Sequence, residues 1–236
     1  MSELVFVRHG QASFGAASYD KLSDAGLSQV RQLSRHWQEL GETFDHLYSG
    51  DLLRQRETAT ELLPHVEQSG REIKINPAFN EYNGDPLIAI FLRDHAGAAG
   101  FEQGLKLPIS EQRLFQKVFE AATARWITDR LIPTAADQGY ESWRDFQRRV
   151  HGAMDALMET HQNGSRVLIS TSGGVIALAL QRALGFPDEQ AIATNWMVHN
   201  SSVSRIRYGN GRISLTQFNS LAHLEKPDLR QLVTYR

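Results

Sequence analysis

The sequence predicts an α/β fold: a three-layer sandwich whose mostly parallel sheet carries helices on both faces, with a mostly helical insertion. Three observations predict it. Short apolar, β-branched runs, Leu4-Val5-Phe6-Val7 and Val167-Leu168-Ile169, read as buried strands. Each is followed by a segment with apolar residues at helical spacing, so strand and helix alternate as in parallel βαβ units. The alternation breaks from about Asp85 to Gly139 and then resumes, which marks an insertion. The 236 residues are read as a single domain with a helical cap at about 85–139.

The elements follow in order. Residues 3–7 form the first strand, and residues 10–22 a loop. Ser23 or Asp24 caps a helix whose Leu27, Val30, Leu33, Trp37 and Leu40 share one face, and Gly41 stops it. Residues 43–50 read as a strand, 51–65 as a helix broken at Pro64, and 72–76 as a third strand. The insertion holds a glycine- and alanine-rich loop, Gly97 to Gly104, then a helical pattern from Ile109 to Arg130. A long helix spans 140–161, a buried strand 165–171, and a helix 173–185 follows at once. Asn210-Gly211 between alternating runs predicts a hairpin over 201–218.

Composition removes several function classes. A net charge of −2 lacks the basic footprint of a nucleic-acid binder. The absence of cysteine excludes disulfides, thiolate zinc sites and thiol catalysis. No metal-binding spacing such as HExxH occurs, so no metal site is expected, and no cofactor is assigned. No apolar stretch approaches the roughly 18 residues of a membrane helix. The N-terminus lacks a charged segment followed by a long apolar one, so a cytoplasmic protein without membrane or nucleic-acid partners is expected. The oligomeric state is not determined, and a homodimer is compatible with the sequence.

Open parallel sheets place ligands outside the carboxyl ends of their strands. There the sequence puts Arg8-His9-Gly10, Ser49 with Arg54 and Arg56 on the next helix, Asn80-Glu81-Tyr82, and Thr171-Ser172-Gly173-Gly174. Arginine forks bind phosphate oxygens, and backbone N–H groups at a helix start favour an anion. Taken singly, each feature is an ordinary structural one: a packed histidine, a tight turn, a solvated helix face, an exposed carboxylate. Their convergence on one edge points to a phosphate.

In these motifs the chain resembles the histidine phosphatase superfamily, in its phosphoglycerate-mutase-like branch. Arg-His-Gly after the first strand is that family's defining motif; KLSDAG (21–26) is similar to its first helix start. YSGDLLRQRETA (48–59) is similar to its S-x-L-x-R-A-x-x-T-A element, with Gln55 in place of the usual alanine. FNEYNGD (79–85), VLISTSGGVI (167–176) and FNSLAHL (218–224) match further elements in family order. The resemblance implies a phosphoglycerate-mutase-like fold and a small phosphorylated substrate or inorganic phosphate as partner. It implies His9 as nucleophile, Arg8 and Arg54 as a clamp on the phosphoryl oxygens, and Glu81 as proton donor and acceptor. His9 then has to be neutral, with a backbone carbonyl holding the proton of its other nitrogen. Gly10 is expected to keep a side chain away from the phosphate.

Two departures stand out. Ser172 occupies the position of the family's second histidine, and Gly15 that of a mutase asparagine, with Ser13 read as a phosphate donor in its place. With Gly173, Ser172 is assigned to phosphate binding. A neutral hydroxyl donates roughly half as strong a hydrogen bond as a charged group. Three readings follow: a phosphatase with an altered donor, a phosphate-ester-binding protein with little turnover, and a phosphomutase. A serine hydrolase using Ser172 is disfavoured, because Ser170 stands where the nucleophile elbow needs glycine. His199 and His223 are candidates to replace the missing histidine. Arg93, His95, Lys106, Arg113 and Arg125 of the insertion are candidates to select the leaving group.

Overall fold

In a computed structural model, which describes residues 1–13, 20–102 and 104–235, the chain divides into two compact units. One is formed by Met1–Glu81 with Val150–Arg236, the other by Tyr82–Arg149.

The larger unit contains a six-stranded sheet: β1 (Ser2–Arg8), β2 (His46–Ser49), β3 (Ile73–Ile75), β4 (Arg166–Thr171), β5 (Val203–Gly209) and β6 (Arg212–Ser220). Their order is β3-β2-β4-β1-β5-β6. The first four run parallel, and the hairpin of β5 and β6 joins antiparallel at the β1 edge. Asn210, at φ 53°, and Gly211, at φ 71°, form the hairpin turn that their sequence predicts.

Alternation along the strands divides the core. Val5, Val7, Leu47 and Leu168 point to one face, where they pack with Val30, Leu33 and Trp37 of α1 (Asp24–Leu40) and Ala59 and Leu62 of α2 (Leu53–Leu62). Leu4, Phe6, Val167 and Ile169 alternate with them and are equally buried. α6 (Gly173–Leu184), which has all of Gly173–Gln181 buried, packs against β1, β5 and β6 on that second side. The end of α5 (Trp143–Thr160) joins it, with His151 Nε2 3.0 Å from the Leu178 carbonyl. A helix buried all round, as α6 is, belongs to an interior layer.

The helix ends follow local chemistry. Ser23 caps α1 by accepting from Gly26 N, and Gly41 ends it at φ 64°. α2 is shorter than residues 51–65: after Leu62 the chain tightens into a 3₁₀ turn over Leu63–His65, since Pro64 cannot donate a helical hydrogen bond. α7 (Asp188–Met197) was not anticipated by helical periodicity. Its start is nevertheless written as Pro187 followed by two acids in the first turn.

One pair of glycines locks β1 to α1. A Cβ on Gly10 would lie 2.4 Å from the Gly26 carbonyl oxygen, and one on Gly26 would lie 2.1 Å from the Gln11 carbonyl oxygen. Gly10 therefore serves the close passage of two backbones, a different reason from the relief of a bound phosphate.

The second unit contains α3 (Gly84–Asp94), α4 (Gln112–Trp126) and the start of α5. Its centre is aromatic: Trp126 lies 4.6 Å from Tyr82 and 5.0 Å from Trp143, centroid to centroid. The Trp126 indole N–H donates to the Glu141 carbonyl at 2.8 Å. Arg93 pairs with Asp94 and Asp137, His95 Nε2 meets the Arg130 carbonyl, and Arg125 lies over the Phe91 ring. Three of the five basic candidates of the insertion thus make contacts inside their own unit. Among the described residues, no helix is long and apolar enough to cross a membrane.

Candidate active site

β1 and β4 are parallel neighbours with Arg8 opposite Thr171, and the His9 N–H continues the pairing by donating to the Thr171 carbonyl at 2.8 Å. From here the chain after β1 turns toward α1 on one face, whereas the chain after β4 enters α6 on the other. Such a divergence opens a crevice beyond the strand ends. His9 and Ser172 emerge there side by side.

His9 is 6% exposed. Its Nδ1 lies 2.7 Å from the Gly10 carbonyl oxygen. A carbonyl only accepts, so the ring proton resides on Nδ1 and Nε2 carries the lone pair. Arg54 Nε donates to Nε2 at 3.1 Å, and Arg54 Nη1 pairs with Asp20. The other Asp20 oxygen accepts from Leu53 N, at the first residue of α2, at 2.7 Å. Thr58 closes the arrangement: its hydroxyl accepts from Gly10 N at 3.2 Å and donates to the Arg54 carbonyl at 2.9 Å.

The other residues assemble on the first turn of α6. Arg8 Nη1 donates to the Val198 carbonyl. A Cβ at Gly173 would stand 2.5 Å from Asn195 Oδ1, so glycine makes room for the Asn195 side chain, and the Arg8 guanidinium carbon lies at ordinary contact distance, 3.7 Å, from the same point at the helix start. Glu81 Oε2 accepts from Gly174 N at 2.9 Å. Ser172 is the α6 N-cap residue, and its Oγ accepts from the Gln55 amide at 2.8 Å. The Ser13 N–H donates to the Lys21 carbonyl, and Ser13 lines a cleft with Lys21, Asp24 and Glu57. None of His9, Arg8, Arg54, Glu81 and Ser172 lines that cleft. Gly15 lies outside the described residues.

His199 is held by Asn219, whose Nδ2 is 2.9 Å from its Nδ1, and its ring packs against Tyr235 at a centroid distance of 4.1 Å. His223 is buried with Nε2 2.8 Å from Ser201 Oγ, and Ser201 N donates to the Arg8 and His9 carbonyls. This places His223 behind the backbone of the Arg-His-Gly turn. Among the described residues, no three His, Asp or Glu side chains gather as a metal site would require.

Burial first, then the charges of Arg54 and Arg8, hold the His9 pKa well below its ordinary 6.5, against the opposing pull of the Gly10 carbonyl. The imidazole is therefore neutral near pH 7. Burial likewise lowers His223 to about 3. The unfolded chain takes up that proton below about pH 6.5 and the folded one does not. Stability from this group is thus complete above pH 6.5 and is lost as pH falls toward 3. We expect the loss to reach about 2 kcal/mol at pH 5 from His223 alone. Urea unfolding at pH 7.5 and pH 5 measures it, and His223→Gln, though weaker at pH 7.5, should lose less on acidification.

Asp20, Thr58 and the Val198 carbonyl had no assigned role in the sequence reading. Thr58 stands in a matched motif, but Asp20 carries no local signal: only folding brings it to Arg54.

A family model described as the histidine phosphatase superfamily, branch 1, matches residues 4–87 and 109–221. The chain belongs to that superfamily. A relative named "Probable phosphoglycerate mutase GpmB" from Cronobacter sakazakii is 26% identical over 245 residues, covering 98% of this chain and 99% of the relative. A phosphoglycerate mutase structure from Bacillus anthracis superposes with a TM-score of 0.63 at 21% identity, covering 94% of each chain. A mycobacterial glucosyl-3-phosphoglycerate phosphatase in complex with inorganic phosphate gives 0.63 at 20% identity, covering 95% of this chain and all of that one. At such identities the two structures bear on the histidine phosphatase fold alone: a mixed six-stranded sheet with helices.

Proposed function

We propose that the chain is a phosphomonoesterase acting through a phosphohistidine intermediate on a small phosphorylated metabolite, without a metal ion. The observation that carries this reading is the state of His9: Nδ1–H is committed to the Gly10 carbonyl, and the Nε2 lone pair faces Arg54. Nε2 attacks phosphorus, the P–O ester bond breaks, and the leaving oxygen takes a proton from Glu81. Water then gives a proton to the Glu81 carboxylate and attacks phosphorus. The P–N bond breaks, releasing inorganic phosphate and restoring His9. Arg8 and Arg54 meet the charge that develops on the phosphoryl oxygens, the part a divalent cation plays elsewhere. The Gly174 N–H fixes the Glu81 carboxyl at the α6 terminus.

A mutase reading has in its favour the names of sequence relatives, the Cronobacter sakazakii one among them. It differs only in the acceptor, an alcohol in place of water. Hydrolysis of an aryl phosphate in the presence of a chelator tests the proposal. Release of phosphate, with acid-labile, base-stable label trapped on the protein, is expected. Saturable phosphate binding without turnover would overturn it in favour of a binding protein. Transfer to added phosphate-acceptor alcohols in place of hydrolysis would favour a mutase.

A further inference from the structure

Two of the positions at which the chain departs from its family's motifs, Gln55 and Ser172, are in direct contact. Gln55 is wholly buried, on the first turn of α2, 117 residues from Ser172 in the chain. Its amide is fully used: Oε1 accepts from Leu52 N at 3.3 Å, while Nε2 donates to the Phe79 carbonyl at 3.1 Å and to Ser172 Oγ at 2.8 Å. The backbone partners fix which end is which. Phe79 offers only an acceptor and Leu52 N only a donor, so the amide nitrogen faces Ser172.

Ser172 Oγ is therefore an acceptor from Gln55, and its own proton points elsewhere. The hydroxyl sits in a residue only 1% exposed, and among the described residues its one side-chain hydrogen bond is the one it accepts from Gln55. The β1–β4 register carries Ser172 out of the sheet beside His9, at the crevice where Arg54 reaches Nε2. We propose that Gln55 and Ser172 act as one unit that donates the Ser172 proton to a phosphoryl oxygen, with Gln55 as the positioning residue. A donated hydrogen bond polarises the hydroxyl it lands on and strengthens that hydroxyl as a donor. Gln55 also fills the space beyond Ser172. A side chain larger than serine at position 172 has to share this buried space with the Gln55 amide, whose Nε2 lies 2.8 Å from Ser172 Oγ.

The same amide ties the site together. Gly50 accommodates it, since a Cβ there would lie 2.0 Å from Gln55 Oε1 and 2.8 Å from Asn80 Oδ1. The Phe79 carbonyl that receives Gln55 also receives the Thr171 hydroxyl at 2.6 Å, two residues ahead of Glu81. Gln55 thus links the strand ends that carry Glu81 and Ser172.

This inference rests on the phosphoryl-binding part of the proposed function, and its test is read without turnover. Affinity for inorganic phosphate, by calorimetry, and for orthovanadate, by competition, is measured for the wild type, Ser172→Ala, Gln55→Met and the double variant. Each single change should weaken binding by about tenfold, and the double should be no weaker than Ser172→Ala, as for two groups acting through one contact. Ser172→His alone should bind less tightly than the wild type, and Ser172→His/Gln55→Ala should recover. Additive losses, or a Ser172→His protein that outperforms the wild type by itself, overturn the proposal. Should Gln55→Met fail to fold, Ser172→Ala decides alone: unchanged phosphate affinity leaves the Ser172 hydroxyl a purely structural partner of Gln55. A protein that shows the coupling but hydrolyses no ester retains this inference and loses the phosphatase reading.

Discussion

His9→Ala is expected to reduce aryl phosphate hydrolysis by on the order of 10⁵-fold, the scale on which removal of an enzymic nucleophile acts. The arginines and the α6 terminus would remain, so phosphate binding should survive while covalent label on the protein disappears. The same residue sets the acid side of the pH profile. Burial, then Arg54 and Arg8, hold the His9 pKa well below 6.5. A lowered pKa keeps the attacking nitrogen unprotonated into mild acid, so the rate is lost only as pH falls through that lowered value. kcat/KM should therefore show no His9 titration at 6.5. A substantial residual rate in His9→Ala, or persistence of acid-labile label on it, would remove His9 as the nucleophile.

Arg54→Ala is expected to lower kcat/KM by about 10²–10³-fold, as loss of one preorganised donor to developing charge does. Arg54 contacts the attacking nitrogen itself, and Asp20 holds the guanidinium from the other side, anchored in turn by Leu53 N. A phosphoryl group approaching Nε2 meets that fork in a preset orientation. Lysine should not substitute, because a compact ammonium lacks the planar fork that spans two oxygens. Asp20→Asn separates the two roles of the pair. Removing the anion makes the pocket more positive and favours ground-state phosphate binding, while the looser guanidinium stabilises the transition state less. KM should stay level or fall as kcat drops about tenfold, since only interactions that strengthen in the transition state accelerate the step. A rise in KM with unchanged kcat would assign Asp20 to substrate binding instead.

Much of the fold was legible because it is written in short-range patterns. The short apolar runs at residues 4–7 and 167–169, rich in β-branched residues, read as buried strands, and Asn210-Gly211 between alternating runs reads as a hairpin turn. The α7 helix is not legible in the sequence, because its residues show little amphipathic periodicity and only its Pro187-Asp188-Glu189 start marks it. In α2, Arg54 and Arg56 suggest pairing along the helix with Glu57 and Glu61. Instead Arg54 turns to Asp20, Arg56 to Asp51 and Glu61 to Arg31, partners that helical spacing does not predict.

By itself, the sequence determined that a buried strand ends in Arg8-His9-Gly10 and that a second ends in Ser172-Gly173, since periodicity and turn chemistry act over a few residues. It also determined, through motifs in family order, the class of chemistry to expect. Only the tertiary structure decided which His9 nitrogen holds the proton, why Gly10 must be glycine, and that Asp20 and Gln55 reach the site. Those outcomes depend on contacts between residues 34 and 117 positions apart, Asp20 with Arg54 and Gln55 with Ser172. Such contacts arise from how helices and strands pack, and no local pattern in the chain records them.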